Sequence, residues 1–285
     1  MAEEKVIFEK VYPEYNIHRT HFEELDSTQL YCRRHMMYYI KNELLNNINK
    51  VIAISANSQT NGIGTRDTKE KKDRIWLSEK GNLFISFMQL WPIDDLLKIQ
   101  CMAQTCTVAI SKTLECFYLV TQIKWINDVL VNEKKISGCL SNLYYLDDCM
   151  GLEKKYVYII VGIGININLV DNKNILFNNY TSIKKELKKD FNDVTLVPSV
   201  ETVTNKLIEN YYLVMNKLRN EGFSYFLEYI NIRLLYKGKK IIIDQDNNKM
   251  VGYLKGILAD GSLCLLQQNN EIIRVNTGKM YLYEN

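Results

Sequence analysis

Apolar residues recur along this chain with two different periods, and the switches between them mark out its elements. Leu30, Met37, Ile40 and Leu44 follow Ser27, a good N-cap, at spacings that share one helical face, which predicts a helix over about 27–47. Residues 51–56 and 83–90 are short apolar runs bounded by polar turns and read as buried strands, the first delivering the loop 59–66. Asp94 or Asp95 can cap a second long helix that carries Leu97, Cys101, Thr105 and Val108 on one side and ends near Phe117. Strands are predicted around 122–125, 129–131, 136–145 and 156–166. The polar, Lys/Asn-rich stretch 172–198, with Lys184-Lys185 and Lys188-Lys189, reads as a surface insertion and is assigned no chemistry. Helices follow over 200–219 and 223–233, with Leu207, Tyr211, Val214 and Leu218 at helical spacing.

From Tyr236 the pattern becomes short strands separated by turn signals at Asp246-Asn247-Asn248, Asp260-Gly261 and Asn269-Asn270. About five such strands can close into a small barrel. Runs of strands with helices gathered at the ends of the pattern imply an α+β fold with a mixed or antiparallel sheet. The chain thus divides into a larger unit over 1–233 and a small β-barrel over 236–285.

Composition narrows the picture. With 285 residues and 47% hydrophobic content there is material for one substantial core and a small second one. Lys+Arg 36 against Asp+Glu 33 gives +3, too little to suggest a polyanion, so no nucleic-acid partner is expected. The 7 cysteines form no Cys-x-x-Cys pair, which points to reduced thiols and a cytoplasmic setting, an organelle being possible if a leader was removed. His18, His21 and His35 have no companion cysteine pair and are not expected to ligate metal. No apolar run approaches the ~18 residues needed to span a bilayer, and the start Met-Ala-Glu-Glu-Lys lacks the character of a signal peptide.

Candidate chemistry lies in four short motifs. Lys124-Trp125-Ile126-Asn127-Asp128 and Lys135-Ile136-Ser137-Gly138 stand on the two arms of a predicted hairpin, bringing cationic donors and oxygen ligands together as a phosphate and its metal require. A solvated hairpin would also carry such lysines. Gln59-Thr60-Asn61-Gly62-Ile63-Gly64-Thr65-Arg66 and Val161-Gly162-Ile163-Gly164-Ile165-Asn166 have a similar anion-binding look, and Leu25-Asp26-Ser27-Thr28 precedes them all.

In this order the four motifs resemble those of the biotin protein ligases (holocarboxylase synthetases), from about Leu25 to the C-terminus. The resemblance implies a class II synthetase-like catalytic domain followed by an SH3-like barrel. It implies activation of biotin by ATP, with Mg, to biotinyl-adenylate and transfer to one lysine of a biotin carboxyl carrier domain, by a monomer or homodimer. No helix-turn-helix segment precedes residue 25, so the form without the DNA-binding repressor domain is expected.

On the same resemblance Lys135 stands between the biotin carboxylate and the α-phosphate. Ser27, Thr28, Gln59, Gly62, Gly64, Thr65 and Gly138 surround biotin. Arg66, Arg74, Trp76, Lys124, Asn127, Asp128 and Asn166 attend the nucleotide, Asp128 also being the candidate Mg ligand. Adenylation joins two anions and depends on positioning and electrostatics, so it requires no nucleophile triad. The glycine loop departs from the family pattern, with Ile63 and Thr65 at arginine places and a charged insert 67–73 before Arg74-Ile75-Trp76. Arg66 and Arg74 are expected to retain the adenylate in their stead, or the intermediate escapes. The insert is expected to be mobile without ligand and to close as a lid.

Three other readings compete. A dinucleotide enzyme is suggested by Gly162-Ile163-Gly164, but the third glycine is missing. A non-catalytic biotin module would not need Lys135, Asn127 and Asp128. A lipoate ligase differs in the acid it would bind.

Overall fold

The computed structural model describes residues 4–67, 72–145, 156–169, 179–191, 196–245 and 248–283, and for 66–67, 72–74 and 190–191 the backbone alone. Two strands that the sequence pattern did not reveal, β1 (Val6–Tyr12) and β2 (Ile17–Leu25), open the chain. Helix α1 (Thr28–Lys41) follows, and then β3 (Val51–Gln59), a hairpin of β4 (Ile63–Asp67) and β5 (Lys72–Ile75), and β6 (Leu83–Pro92). Helix α1 stops six residues short of the expected 47, because Glu43 adopts a positive φ of 57° and turns the chain away. The second expected helix is broken at Cys101 into α2 (Leu96–Gln100) and α3 (Met102–Glu115).

Strands β7 (Gln122–Lys124), β8 (Asp128–Val131), β9 (Lys134–Tyr144) and β10 (Tyr156–Ile165) lie where the apolar runs predict them. They join the earlier strands in one sheet of order β1-β2-β3-β6-β10-β9-β8-β7. β2 and β3 run parallel and every other neighbour pair is antiparallel, which makes the sheet mixed, as expected.

Both faces of the central strands are covered, and this is why they read as unbroken apolar runs. Along β10, Val157, Ile159, Val161, Ile163 and Ile165 face one core, while Tyr158 and Ile160 face the other. The smaller core lies under α1, with Cys32, Met36 and Ile40. The larger one is covered by α3 and by α5 (Val200–Glu221).

The stretch 172–198 is more than a surface insertion. Within it α4 (Ile183–Phe191) seats Ile183 and Leu187 in the larger core, and both are fully buried. After α5, helix α6 (Leu227–Arg233) leads to β11 (Lys240–Gln245), β12 (Asn248–Ile257), β13 (Leu263–Leu266), β14 (Ile272–Val275) and β15 (Lys279–Leu282). These pair antiparallel in the order β14-β13-β12-β11-β15, and among the described residues no ladder joins β14 to β15 to close a barrel. Ile241, Ile243 and Leu254 join the larger core, and the Gly261 carbonyl accepts from Gln104 Nε2 at 2.8 Å and Trp125 Nε1 at 3.0 Å.

Candidate active site

At the edge where β3 and β10 end and β6 and β9 begin, beside the first turn of α1, lies an open cleft. Three glycines clear its floor. A Cβ on Gly162 would lie 2.7 Å from Gln29 Oε1, and one on Gly164 would lie 2.5 Å from the Trp76 ring. Gly138, the cross-strand partner of Gly164, has Lys135 Nζ and Asp128 Oδ1 at 3.1 Å from the corresponding position. The Gly-x-Gly signal at 162–164 is therefore a demand for space beside β-strand backbone, with no phosphate loop or helix opening behind it.

Uncharged hydrogen bonds line one side. Gln59 Oε1 accepts from the Thr28 backbone N–H at 2.8 Å and from Thr28 Oγ1 at 3.2 Å, while its Nε2 donates to Ser78 Oγ at 2.7 Å. Gln59 thereby satisfies a first-turn donor of α1, whereas Ser27, at the N-cap, makes no side-chain capping bond. Thr28 Oγ1 also meets Ser86 Oγ at 2.9 Å, Ser86 Oγ donates to Gln29 Oε1 at 3.1 Å, and Gln29 Nε2 donates to Asn142 Oδ1 at 2.9 Å. Hydroxyls and amides in a dry pocket suit a neutral polar ring and bury no charge.

The charged side is compact. Lys135 Nζ sits 2.6 Å from Asp128 Oδ1 and 5.0 Å from the centre of the Trp76 ring. Asn127 lines the cleft and donates its amide to the Cys139 carbonyl at 2.6 Å, and the Trp125–Ile126 peptide bond just before it is cis. Burial pushes the Cys139 thiol up, with the Asp128 carboxylate adding to the shift, so this cysteine is a neutral wall that donates to the Ala103 carbonyl at 3.1 Å.

Of the residues singled out from the sequence, Ser27, Thr28, Gln59, Gly64, Thr65, Trp76, Asn127, Lys135 and Gly138 are brought together along the cleft. Gly62 stands behind it, where a Cβ would meet Ser78 Oγ and the Trp76 carbonyl at 2.4 Å. Asn166 is buried at the end of β10 and donates to the Thr181 carbonyl at 3.1 Å, away from the cleft lining. Lys124 instead lies 5.8 Å over the Tyr281 ring. The backbones of Arg66 and Arg74 lie in the β4–β5 hairpin, but their side chains, and residues 68–71 of the expected lid, fall outside the described residues. Gln29, Ser86, Gly162 and Gly164 were not assigned from sequence; the glycine spacing was the available signal for the last two.

Among the described residues no three His, Cys, Asp or Glu side chains gather to hold a metal. One carboxylate with a neighbouring amide does fit a magnesium ion that arrives with phosphates, since Mg²⁺ commonly takes one or two carboxylates plus substrate oxygens.

A family model described as Biotin/lipoate A/B protein ligase family matches residues 22–166, just over half of the chain. The chain belongs to the biotin/lipoate A/B protein ligase family. Two curated members, each named Bifunctional ligase/repressor BirA, from Bacillus spizizenii and Bacillus subtilis, are 32% identical over 124 residues. Those matches cover 43% of this chain and 34% of each relative, about a third of their length. The family fold is also seen in the biotin protein ligase of Aquifex aeolicus in complex with biotin and ATP, 25% identical with a TM-score of 0.68 over 94% of this chain and 99% of that one. A biotin protein ligase-like protein of unknown function from Silicibacter, 9% identical with a TM-score of 0.59, shares the fold alone.

Proposed function

We propose that this family member is a biotin–protein ligase. The observation that carries the reading is Lys135, whose ammonium faces a glycine-floored, neutrally lined cleft and is held there by a single carboxylate. Choice of biotin over lipoate is supported by the Aquifex aeolicus likeness, which spans nearly the whole of both chains and contains biotin and ATP.

In this reading the ureido ring of biotin sits against Thr28, Gln59 and Ser27, and its carboxylate points to Lys135. The ammonium exchanges Asp128 for the carboxylate and the α-phosphate, lowering the repulsion between two anions that must meet. A carboxylate oxygen attacks the α-phosphorus, the bond to the β-phosphate oxygen breaks, and pyrophosphate leaves. The carrier lysine amine then attacks the acyl carbon and AMP departs, leaving an amide. Asp128, released from Lys135, and Asn127 would hold magnesium, which neutralises phosphate charge when bound. Arg66 and Arg74 are assigned to retaining the adenylate. The acceptor is a biotin carboxyl carrier domain.

Incubation with biotin, ATP, Mg²⁺ and a carrier domain, followed by mass measurement, is expected to add one biotinyl group to one lysine, with no gain from lipoate. Lys135→Ala should slow adenylate formation by roughly 10²–10³-fold, the usual scale for removing a group that stabilises developing charge. A gain from lipoate alone, or a variant as fast as the parent, would overturn the proposal.

A further inference from the structure

The segment to which the sequence reading gave no chemistry holds the backbone of Lys135. The Lys135 N–H donates to the Asn179 carbonyl at 2.8 Å, and the Thr181 N–H donates to the Lys135 carbonyl at 2.9 Å, a parallel bridge centred on Tyr180. Behind this bridge stands Glu186 of α4, 4% exposed and forming no ion pair among the described residues. One carboxyl oxygen accepts from Asn132 Nδ2 at 2.6 Å, and the other accepts from Thr181 Oγ1.

Both donors sit on chains that frame Lys135. Asn132 and Glu133, with φ of 50° and 61°, form the two-residue turn of the β8–β9 hairpin, in which Val131 pairs with Lys134. Thr181 is the residue that grips the Lys135 carbonyl. A buried carboxyl that forms no ion pair among the described residues is costly and persists where its hydrogen bonds fix something. Here it spans the tip of the hairpin and the bridge. That support matters, because β7 and β8 are only 3 and 4 residues long and are the last two strands at one end of the sheet. The base of the clamp is firm: Ile183 N–H donates to the Asn166 carbonyl at 3.0 Å, Asn166 Nδ2 holds the Thr181 carbonyl, and Leu187 is buried.

We propose that Glu186 is a positioning residue for the reaction: by tying Asn132 to Thr181 it sets the backbone from which Lys135 reaches the cleft. This rests on the role given to Lys135 above. Glu186→Ala takes the shared acceptor from the buried Thr181 hydroxyl and from the exposed Asn132 amide and lets the hairpin tip shift, and misplacement of a reacting group by about 1 Å can cost on the order of 10²-fold. The expected result is a roughly 10- to 100-fold lower kcat for adenylate formation, with KM for biotin and ATP within about 3-fold of the parent. Glu186→Gln, which keeps an acceptor oxygen, should recover most of the rate.

Val214→Ala in α5 supplies the comparison for stability, since Val214 is a buried apolar side chain outside the hydrogen bonds that Glu186 makes. Amide hydrogen exchange at Lys135 and Thr181 supplies a readout free of catalysis, and should rise in Glu186→Ala but not in Val214→Ala. Should Glu186→Ala fail to fold, Asn132→Gly, which suits the positive φ and deletes the amide donor, should show the same exchange and kcat signature. The inference is overturned if Glu186→Ala turns over like the parent, or if its kcat loss is matched by Val214→Ala at equal melting temperature. A parent enzyme inert toward biotin would instead refute the functional reading, while the exchange experiment would still judge the clamp.

Discussion

The pairing of Lys135 with Asp128 is a contact between side chains 24% and 26% exposed, so water screens it and it contributes little to stability. On the proposed function its interest is chemical, because each partner would be released when the other finds a substrate group. Beneath it, Gly164 is the most exacting position in the cleft, since any side chain there meets the Trp76 indole. Gly164→Ala is expected to displace that indole and raise the KM for biotin at least about 10-fold, the loss of roughly 1.4 kcal/mol of binding, with the fold intact. Trp91 and Trp125 are buried, at 0% and 4% exposure, so a red shift in tryptophan emission would report Trp76; an unshifted spectrum with unchanged KM would refute the expectation. At this scale the sequence showed residues whose motif position and side-chain chemistry agree, such as Lys135 and Gln59. It hid Gln29, a polar residue in a helical pattern that reads as solvated but is 4% exposed and bonded to Ser86. It also gave no sign that Asn166 is buried and donates to the Thr181 carbonyl.

Strand β2 explains why an element can be invisible in the pattern. Its inward positions include Arg19 and His21, 1% and 8% exposed, where alternation predicts apolar side chains. They are satisfied by a network: Arg19 Nε donates to Ser55 Oγ at 2.8 Å and its Nη1 meets Glu201 Oε2 at 2.7 Å, while His21 contacts Ser55 Oγ at 2.9 Å and Asn57 Oδ1 at 3.1 Å. Burial, and next the neighbouring Arg19 guanidinium, lower the His21 pKa from its ordinary value near 6.5. The folded protein therefore disfavours the imidazolium. Stability from this group is complete above about pH 6.5 and is lost as pH falls from there through the lower folded value, where only the unfolded chain takes up the proton. Melting temperature between pH 7.5 and 5.5 should fall less in His21→Gln than in the parent; equal slopes would show that His21 is not responsible. Strands β6 and β10 were legible for the opposite reason, as both faces are mostly apolar, with Ser86 and Gln89 the polar interruptions in β6.

Across the whole molecule, the two sheets share one core, and Gly261 pins them together. Its φ of +80° is a left-handed conformation, and a Cβ there would lie 2.7 Å from Gln104 Nε2, the group that its own carbonyl holds. Gly261→Ala should cost about 1–2 kcal/mol from backbone strain alone, lowering the melting temperature by roughly 2–8 °C in a chain of this size. Thermal unfolding would check it, and an unchanged midpoint would mean that the turn relaxes freely. The α+β class and the change at residue 236 were readable because turn signals and strand runs alter together there. Closure of the last five strands was not, since a barrel and an open sheet share the same alternation and differ only in whether β14 meets β15.

The resting place of Trp76 has a consequence for how the first guest enters. Its indole lies against bare backbone at Gly164, and its Nε1 is buried without a hydrogen-bond partner among the described residues, so among these swinging the ring aside forfeits van der Waals contact and its stacking beneath the Lys135 charge. The ring is thus one movable wall of the chamber, and any group that settles on that glycine takes the place the indole now fills.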